Sequence, residues 1–519
     1  MSVSCSPFSL TDMRGNPHSY PPPTKSVLVF FKDDCPTCDL VMPLIERLHS
    51  ETTLDVFAPG QTAVGNQAMV QRHELTVPVL DDSDLKMSFA YDIETVPLLI
   101  VADAEGGELD RLVGFERTQW RDFFDRHAPQ IDVDWNRFPD WRPGCGSLSA
   151  DPIVNARLRA EAEGRPLRAR KLEIAADDDV HEFMFDQGYS DGLPVVPPTA
   201  ERVLRMLTGT HRDPQQVVAT IPPNLAPATV EKIAINAVLA GCTAETLPVV
   251  IAAIEAVCTD EFNIHGVTAT TMGASPVMVL NGPIRDRIGM NMKLSALGQG
   301  TRANATIGRA VRLAVRNIGG ARPGGTERST LGNPMKFTMC FAEWEERSPW
   351  EPLHVERGFA ADDSVVTVFA MTSGPSLIVD QTSRSGPQLA GSIGLCMESA
   401  HHVKAHRSGD ALLVISPEHL DTLSRDAYTK QDVRDRIQQV TSKSLRELVA
   451  DDTSGVGLDA AAAARMSDEK LNRRLPKFAT GDNIHIVVAG SEAGKFSGFF
   501  HGWASGPMGS MPVSKKIED

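Results

Sequence analysis

Val27-Leu-Val-Phe-Phe-Lys-Asp-Asp-Cys35-Pro36-Thr37-Cys38-Asp-Leu-Val-Met-Pro-Leu-Ile-Glu-Arg-Leu-His49 decides how the first part of this chain folds. The Val- and Phe-rich run from Val27 to Phe31 reads as a buried strand, and Leu40, Val41, Leu44, Ile45 and Leu48 then recur at helical spacing. Cys35 and Cys38 therefore fall where a strand hands over to a helix N-terminus. Unpaired backbone N–H groups and the positive end of the helix dipole stabilise a thiolate at such a place.

Cys35 is expected to be the acidified nucleophile. Cys38, one turn later, is positioned to attack a mixed disulfide formed at Cys35 and release the product. A Cys-x-x-Cys pair also serves as half of a zinc site, but neither a second Cys-x-x-Cys nor a His-x3-His follows to complete one. Redox chemistry is the better reading, with no metal and no cofactor expected.

Several separate marks accompany the pair. Phe8 to Tyr20 has the pattern of a β-hairpin with its turn at Gly15-Asn16. Glu94-Thr95-Val96-Pro97-Leu98-Leu99-Ile100-Val101 is an apolar strand entered through a proline. Gly106-Gly107 separates it from a strand over Leu109 to Val113, and Gly114-Phe115 leads to a helix from Thr118 to about His127. As a set, residues 7–128 resemble the thioredoxin superfamily, in its peroxiredoxin- and TlpA-like branch. The resemblance implies a central β-sheet flanked by helices, a cis-proline at Pro97 facing the cysteines and shaping the substrate groove, and backbone hydrogen bonds from Val96 to a bound thiol or peptide.

The chain has 519 residues, which suggests about three folding units at roughly 150 residues each. Its formal charge of −16 argues against nucleic acid or an anionic membrane as a general partner. No leader-like start and no apolar run of about 18 residues is present, so a cytoplasmic protein is expected. The eight cysteines are too sparse for a disulfide scaffold; besides Cys35, Cys38 and Cys145, Cys5 is unassigned, and Cys242, Cys258, Cys340 and Cys396 sit beside apolar runs and read as core thiols.

Residues 129–170 are rich in Pro and Trp, lack a clear period and read as a linker that lies against a surface through its aromatics. They carry Cys145 between two glycines, an arrangement that gives a thiol access. Residues 171–519 pattern as a large α/β region. Helices are expected over Val180 to Phe185, Ala200 to Leu207 behind an N-cap at Thr199, Val230 to Ala240, and Thr246 to Cys258. Strands are expected at Val277–Leu280, Val365–Phe369, Leu412–Ile415 and Ile484–Val488. Val277–Leu280 and Ile484–Val488 each run into a Gly-containing loop, which hints at two similar lobes with a division near residue 360.

One further constellation is Gly298-Gln-Gly300-Thr301-Arg302-Ala-Asn304, continuing into a helix with Arg309, Arg312 and Arg316. A Gly-rich loop opening a helix aims N–H groups at an anion, so Gly298, Gly300, Arg302, Asn304 and Arg309 are candidate binders of a small anionic substrate; a solvated basic face is the plainer alternative. Asn281-Gly282-Pro283 and the loop at Gly490 to Lys495 are candidate close-approach loops, with Asn281 and Lys495 as contacts. The latter is one residue short of a phosphate loop and has Phe496 where Ser or Thr would hold magnesium, which argues against an ATPase. Glu343, Glu345 and Glu346, beside Trp344, read as a surface charge cluster ahead of an acid/base site.

Cys145-Gly146-Ser147, Asp191-Gly-Leu-Pro-Val-Val-Pro-Pro-Thr199, Gly241-Cys242, Asn281-Gly-Pro283 and Arg302-Ala-Asn304 also resemble pieces of a bacterial family, the UGSC-type proteins, some of which carry selenocysteine. That resemblance implies nucleophilic or redox chemistry at Cys145. Leu148 stands where the motif's second cysteine would fall, so an internal dithiol at Cys145 is not implied.

Three readings follow. The first is a thiol-disulfide oxidoreductase in which Cys35/Cys38 passes electrons to Cys145, or to a thiol-linked intermediate in the large region, with an external thiol reductant. The second is a general protein disulfide reductase with an accessory binding module. The third is a non-redox lyase or hydrolase using the thioredoxin-like part as a structural or homo-oligomeric platform.

Overall fold

The computed structural model describes residues 8–518 except 21, 23, 165 and 176; Cys5 lies outside the described residues. The chain divides into two compact units, Met1–Glu173 and Ile174–Asp519.

In the first unit a hairpin of β1 (Phe8–Thr11) and β2 (Pro17–Tyr20) turns through Gly15 at positive φ, as the Gly15-Asn16 pattern requires. Next come β3 (Ser26–Phe30), α1 (Pro36–Ser50), β4 (Asp55–Gly60), α2 (Ala63–His73), β5 (Val79–Asp81) and α3 (Lys86–Ala90). The unit continues with β6 (Thr95–Val96), β7 (Leu98–Ala102), β8 (Glu108–Val113), β9 (Phe115–Glu116) and α4 (Arg117–His127). Five strands form one sheet in the order β5-β4-β3-β7-β8, with β3 parallel to β4 and antiparallel to β7. Val27, Leu28, Val29 and Phe30 are fully buried because β3 is central and both its faces are covered. Helix α1 buries Val41, Leu44, Ile45 and Leu48, the residues that recur at helical spacing, and α4 buries Trp120, Phe123 and Phe124. The fold is the thioredoxin-like one that the resemblance implies, with a cis peptide between Val96 and Pro97.

Residues 129–164 lie against the first unit through their aromatics. Ile131 is buried, Trp135 and Phe138 pack on the core of this unit, and Phe138 stacks on Phe115 at 5.7 Å. The short β10 (Trp141–Arg142) pairs with β9, and β11 (Cys145–Gly146) pairs with β6. The aromatics lack a period, yet each has enough apolar surface to hold an irregular segment down.

The second unit is built on a seven-stranded mixed sheet. From one edge run Cys340–Ala342, Ser275–Asn281, Val365–Val379, Phe496–Gly502, Ala411–Ile415 and Ile484–Val488, with Val513–Lys516 added beside Val365–Val379. The strand senses repeat across this sheet. Ser275–Asn281, Cys340–Ala342 and Val365–Val379 repeat the strand senses of Ala411–Ile415, Ile484–Val488 and Phe496–Gly502, and the two triplets meet where Val365–Val379 pairs with Phe496–Gly502. The topological counterpart of Ser275–Asn281 is thus Ala411–Ile415, not Ile484–Val488. Near residue 360 the sheet is continuous, because Val365–Val379 pairs with strands of both triplets. Helices at Val180–Asp186, Ala200–Leu207, Val230–Ala240 and Leu247–Val257 lie within a residue or so of the expected spans, and Thr199 caps the second.

Candidate active site

Strand β3 ends at Phe30, and α1 begins at Pro36, a residue suited to the first helical turn because it has no N–H to leave unpaired. Cys35 is the N-cap of α1 in extended conformation, and Cys38 lies in its first turn; both are wholly inaccessible. On the other side, the extended Thr95–Val96 carries the backbone that faces the cysteines, and the Cys35 thiol reaches the Val96 carbonyl at 3.5 Å.

Cys145, expected on a linker to the large region, stands at this same site. Strand β11 is antiparallel to β6 with Cys145 in register with Val96 and Gly146 with Thr95. Cys38 and Cys145 are the two cysteines close enough to Cys35 to perturb its thiol. Cys35 is held down at about 5 by the S–H of Cys38 first and that of Cys145 next, with the N–H groups of Cys38 and Thr37 adding to them; burial opposes the shift. Cys38 is pushed strongly upward by burial and by its bond to Cys35. Cys145 is raised, chiefly because its S–H is donated to Cys35. The arrangement is one acidified cysteine beside two cysteines whose thiols are held protonated.

The segment that carries Cys145 is built in. Thr37 Oγ1 donates to the Pro143 carbonyl at 2.6 Å and the Ser147 N–H to the Glu94 carbonyl at 2.8 Å. A Cβ on Gly144 would stand 2.6 Å from the Val96 carbonyl, so only glycine lets the two backbones approach this closely. Behind Cys145, buried Gln61 donates to Ser147 Oγ at 2.6 Å and accepts from the Leu148 N–H at 3.0 Å. Ser147 meets Ser149 at 2.7 Å, and Ser149 donates to the Ile93 carbonyl at 2.9 Å. Gln61 also reaches Ser88, which donates to the fully buried Asp82 at 2.6 Å. Burial raises the Asp82 carboxyl to about 6.

Sequence reading missed Gln61, Ser88, Asp82, Ser147 and Ser149. Ser147-x-Ser149 has the spacing of a hydroxyl turn and was legible as such; Gln61 carries no local signal.

In the second unit several of the side chains expected to bind an anion are engaged within the chain. Arg309 is held by Asp191 through two hydrogen bonds, at 2.8 and 2.9 Å, and by the Leu193 and Pro194 carbonyls. Arg302 donates to the Gly241 and Cys242 carbonyls, and Asn304 ties together Asn291 and Ala296. Asn281 donates to Glu343 and Glu345, and Glu343, expected at the surface, is buried. These polar groups meet the donor and acceptor needs of buried loops, which local sequence pattern cannot distinguish from ligand binding. Gly298 lines a cavity of about 240 Å³ together with Leu297, Pro375, Leu377, Gly490 and Phe496; no charged residue lines it. Gly300 is exposed at positive φ, and Lys495 is half-buried one residue before the strand that begins at Phe496.

Among the described residues no cluster of three or more His, Cys, Asp or Glu side chains is placed to hold a metal ion, and no helix is long and apolar enough to cross a membrane.

No family model and no curated protein matches the chain. Solved structures that resemble its N-terminal part include StoA from Bacillus subtilis (19% identity, 24% of this chain and 98% of that one, TM-score 0.21). A secreted Mycobacterium tuberculosis disulfide oxidoreductase homologous to E. coli DsbE is 17% identical over 24% of this chain and 96% of that one, with a TM-score of 0.21. A thioredoxin-type protein from Neisseria meningitidis is 20% identical over 27% of this chain and 98% of that one, with a TM-score of 0.23. Nothing in these comparisons supports the UGSC-type resemblance of the second unit.

Proposed function

We propose that the first unit is a thiol-disulfide oxidoreductase in which Cys35 is the central nucleophile and exchanges with two neighbours, Cys38 and Cys145. The observation that carries this reading is the placement of Cys145 in register with Val96, whose carbonyl the Cys35 thiol reaches at 3.5 Å. Exchange proceeds by attack of a thiolate on a disulfide sulfur, and Cys38, one helical turn on, and Cys145, across from Val96, are the thiols set beside Cys35. Acidification supports the same role, since a thiol held at about 5 is ionised at neutral pH. Internal exchange also benefits from proximity, because a tethered thiol acts at an effective concentration that a free one does not reach. The partner thiol therefore lies in the same unit as Cys35, and electron transfer to Cys145 calls for no contribution from residues 174–519.

Trapping tests this. In Cys38→Ser, oxidation with one equivalent of a disulfide should yield a Cys35–Cys145 linkage in peptide mass mapping. Recovery of Cys35 only as a mixed disulfide with the oxidant, or with other proteins, would overturn the reading.

A further inference from the structure

The cluster has a direction, set by exposure. Cys35 and Cys38 are wholly inaccessible, whereas Cys145 is partly exposed. Beside it, a Cβ built on Gly146 would meet nothing within 4 Å, so the approach over that glycine is open. The edge of β6, on which an extended peptide would lay its own strand, is already paired by β11. Adding a strand to an exposed edge is how extended protein segments are commonly recognised. That edge is not exposed here: a peptide could take it only by displacing Gly144–Ser147 together with the hydrogen bonds of Thr37, Glu94 and Gln61.

We infer that Cys145 is the port through which this protein exchanges electrons with low-molecular-weight disulfides, and that β11 stands in the peptide groove as a resident strand that excludes protein disulfides. The inference rests on the reading that Cys35 and Cys145 exchange. In the reducing direction, the Cys145 sulfur gives up its proton to the adjacent Cys35 thiolate and attacks R–S–S–R′, forming Cys145–S–S–R and releasing R′–S⁻. Cys35, losing that proton to the released R′–S⁻, then attacks the Cys145 sulfur; R–S⁻ leaves and a Cys35–Cys145 disulfide forms. Cys38 attacks the Cys35 sulfur, its proton passing to the departing Cys145 thiolate, which is left as a thiol. R–S⁻ takes its proton from water. Two enzyme thiols have become the Cys35–Cys38 disulfide, and one external disulfide has become two thiols, so electrons balance with the protein's own dithiol as reductant.

The test uses the reduced full chain in single turnover against excess hydroxyethyl disulfide and, separately, insulin. The expected result is rapid oxidation by the small disulfide and a rate with insulin lower by about tenfold or more. Cys145→Ser should lower the rate with hydroxyethyl disulfide about tenfold or more. Gly144→Ala and Gln61→Ala, which loosen β11, should raise the insulin rate. Equal rates of the unmodified chain with insulin and the small disulfide would overturn the inference, as would an undiminished small-disulfide rate in Cys145→Ser. Mapping Cys38→Ser separates the two levels: a Cys35–Cys145 linkage alongside rapid insulin reduction sinks the port but leaves internal exchange standing, whereas absence of the linkage sinks both.

Discussion

Replacing Cys145 by alanine removes one of the two neighbouring cysteines that lower Cys35, while the Gly144–Ser147 backbone and its anchors to Glu94, Gln61 and Thr37 keep the strand in place. A hydrogen bond to a charged group contributes about 1.5–3 kcal/mol, and one pKa unit corresponds to about 1.4 kcal/mol, so the loss should raise Cys35 by about 1–2 units. From a starting value of about 5, Cys35 should then titrate at about 6–7. The sign follows from which form is bonded: the donor favours the thiolate, so its removal favours the thiol. Cys145→Ser keeps a hydroxyl donor and should recover part of the shift, which an effect of packing alone would not reproduce. Thiolate absorbance near 240 nm, followed against pH in the reduced protein, reads the titration. A midpoint in Cys145→Ala that stays near the starting value, or falls, would refute the claim that Cys145 helps to hold the charge.

The depressed Cys35 also shapes the pH dependence of the redox couple. Above about pH 5 the reduced form carries one thiolate and takes up one proton per two electrons, so the potential should fall by about 30 mV per pH unit; below that pH the slope should approach about 59 mV, as a redox titration against pH would show. Asp82 runs the other way. Its raised folded value means that stability present at low pH is lost as pH rises through about 6, and Asp82→Asn should flatten that dependence in urea unfolding. Trp120 is fully buried and donates to the Gly114 carbonyl at 2.9 Å; Trp120→Ala should cost the first unit about 3–5 kcal/mol by chemical denaturation. In the second unit Arg309→Ala strands a mostly buried Asp191 and should cost about 3–5 kcal/mol, with Asp191→Ala added on top recovering part of the loss.

How much of this could be read in advance differed by residue. Cys35 and Cys38 were legible because strand, Pro36 and helical period are local features, and they alone place both thiols at a helix start. Asp191 and Arg309 each stood out as part of a motif, but their meaning did not. That they neutralise one another depends on a contact between positions far apart in sequence, and an arginine in a Gly-rich neighbourhood looks the same whether it faces an anion or a carboxylate of its own chain. The similar strand ends near Asn281 and Ala489 matched strands that do not correspond, because strand pairing alone decides which strand answers to which.

Cys145 marks the division most sharply. By itself the sequence determined a reactive-looking thiol between two glycines, in a segment of Pro and Trp without period. Only the tertiary structure decided that Trp135 and Phe138 dock on the first unit's core, that Gly144 permits backbone contact at Val96, and that Gln61 and the serines pin the strand there. The physical reason is that period and propensity report how a residue relates to its near neighbours, whereas a nucleophile's function depends on which distant sulfur lies within reach of it.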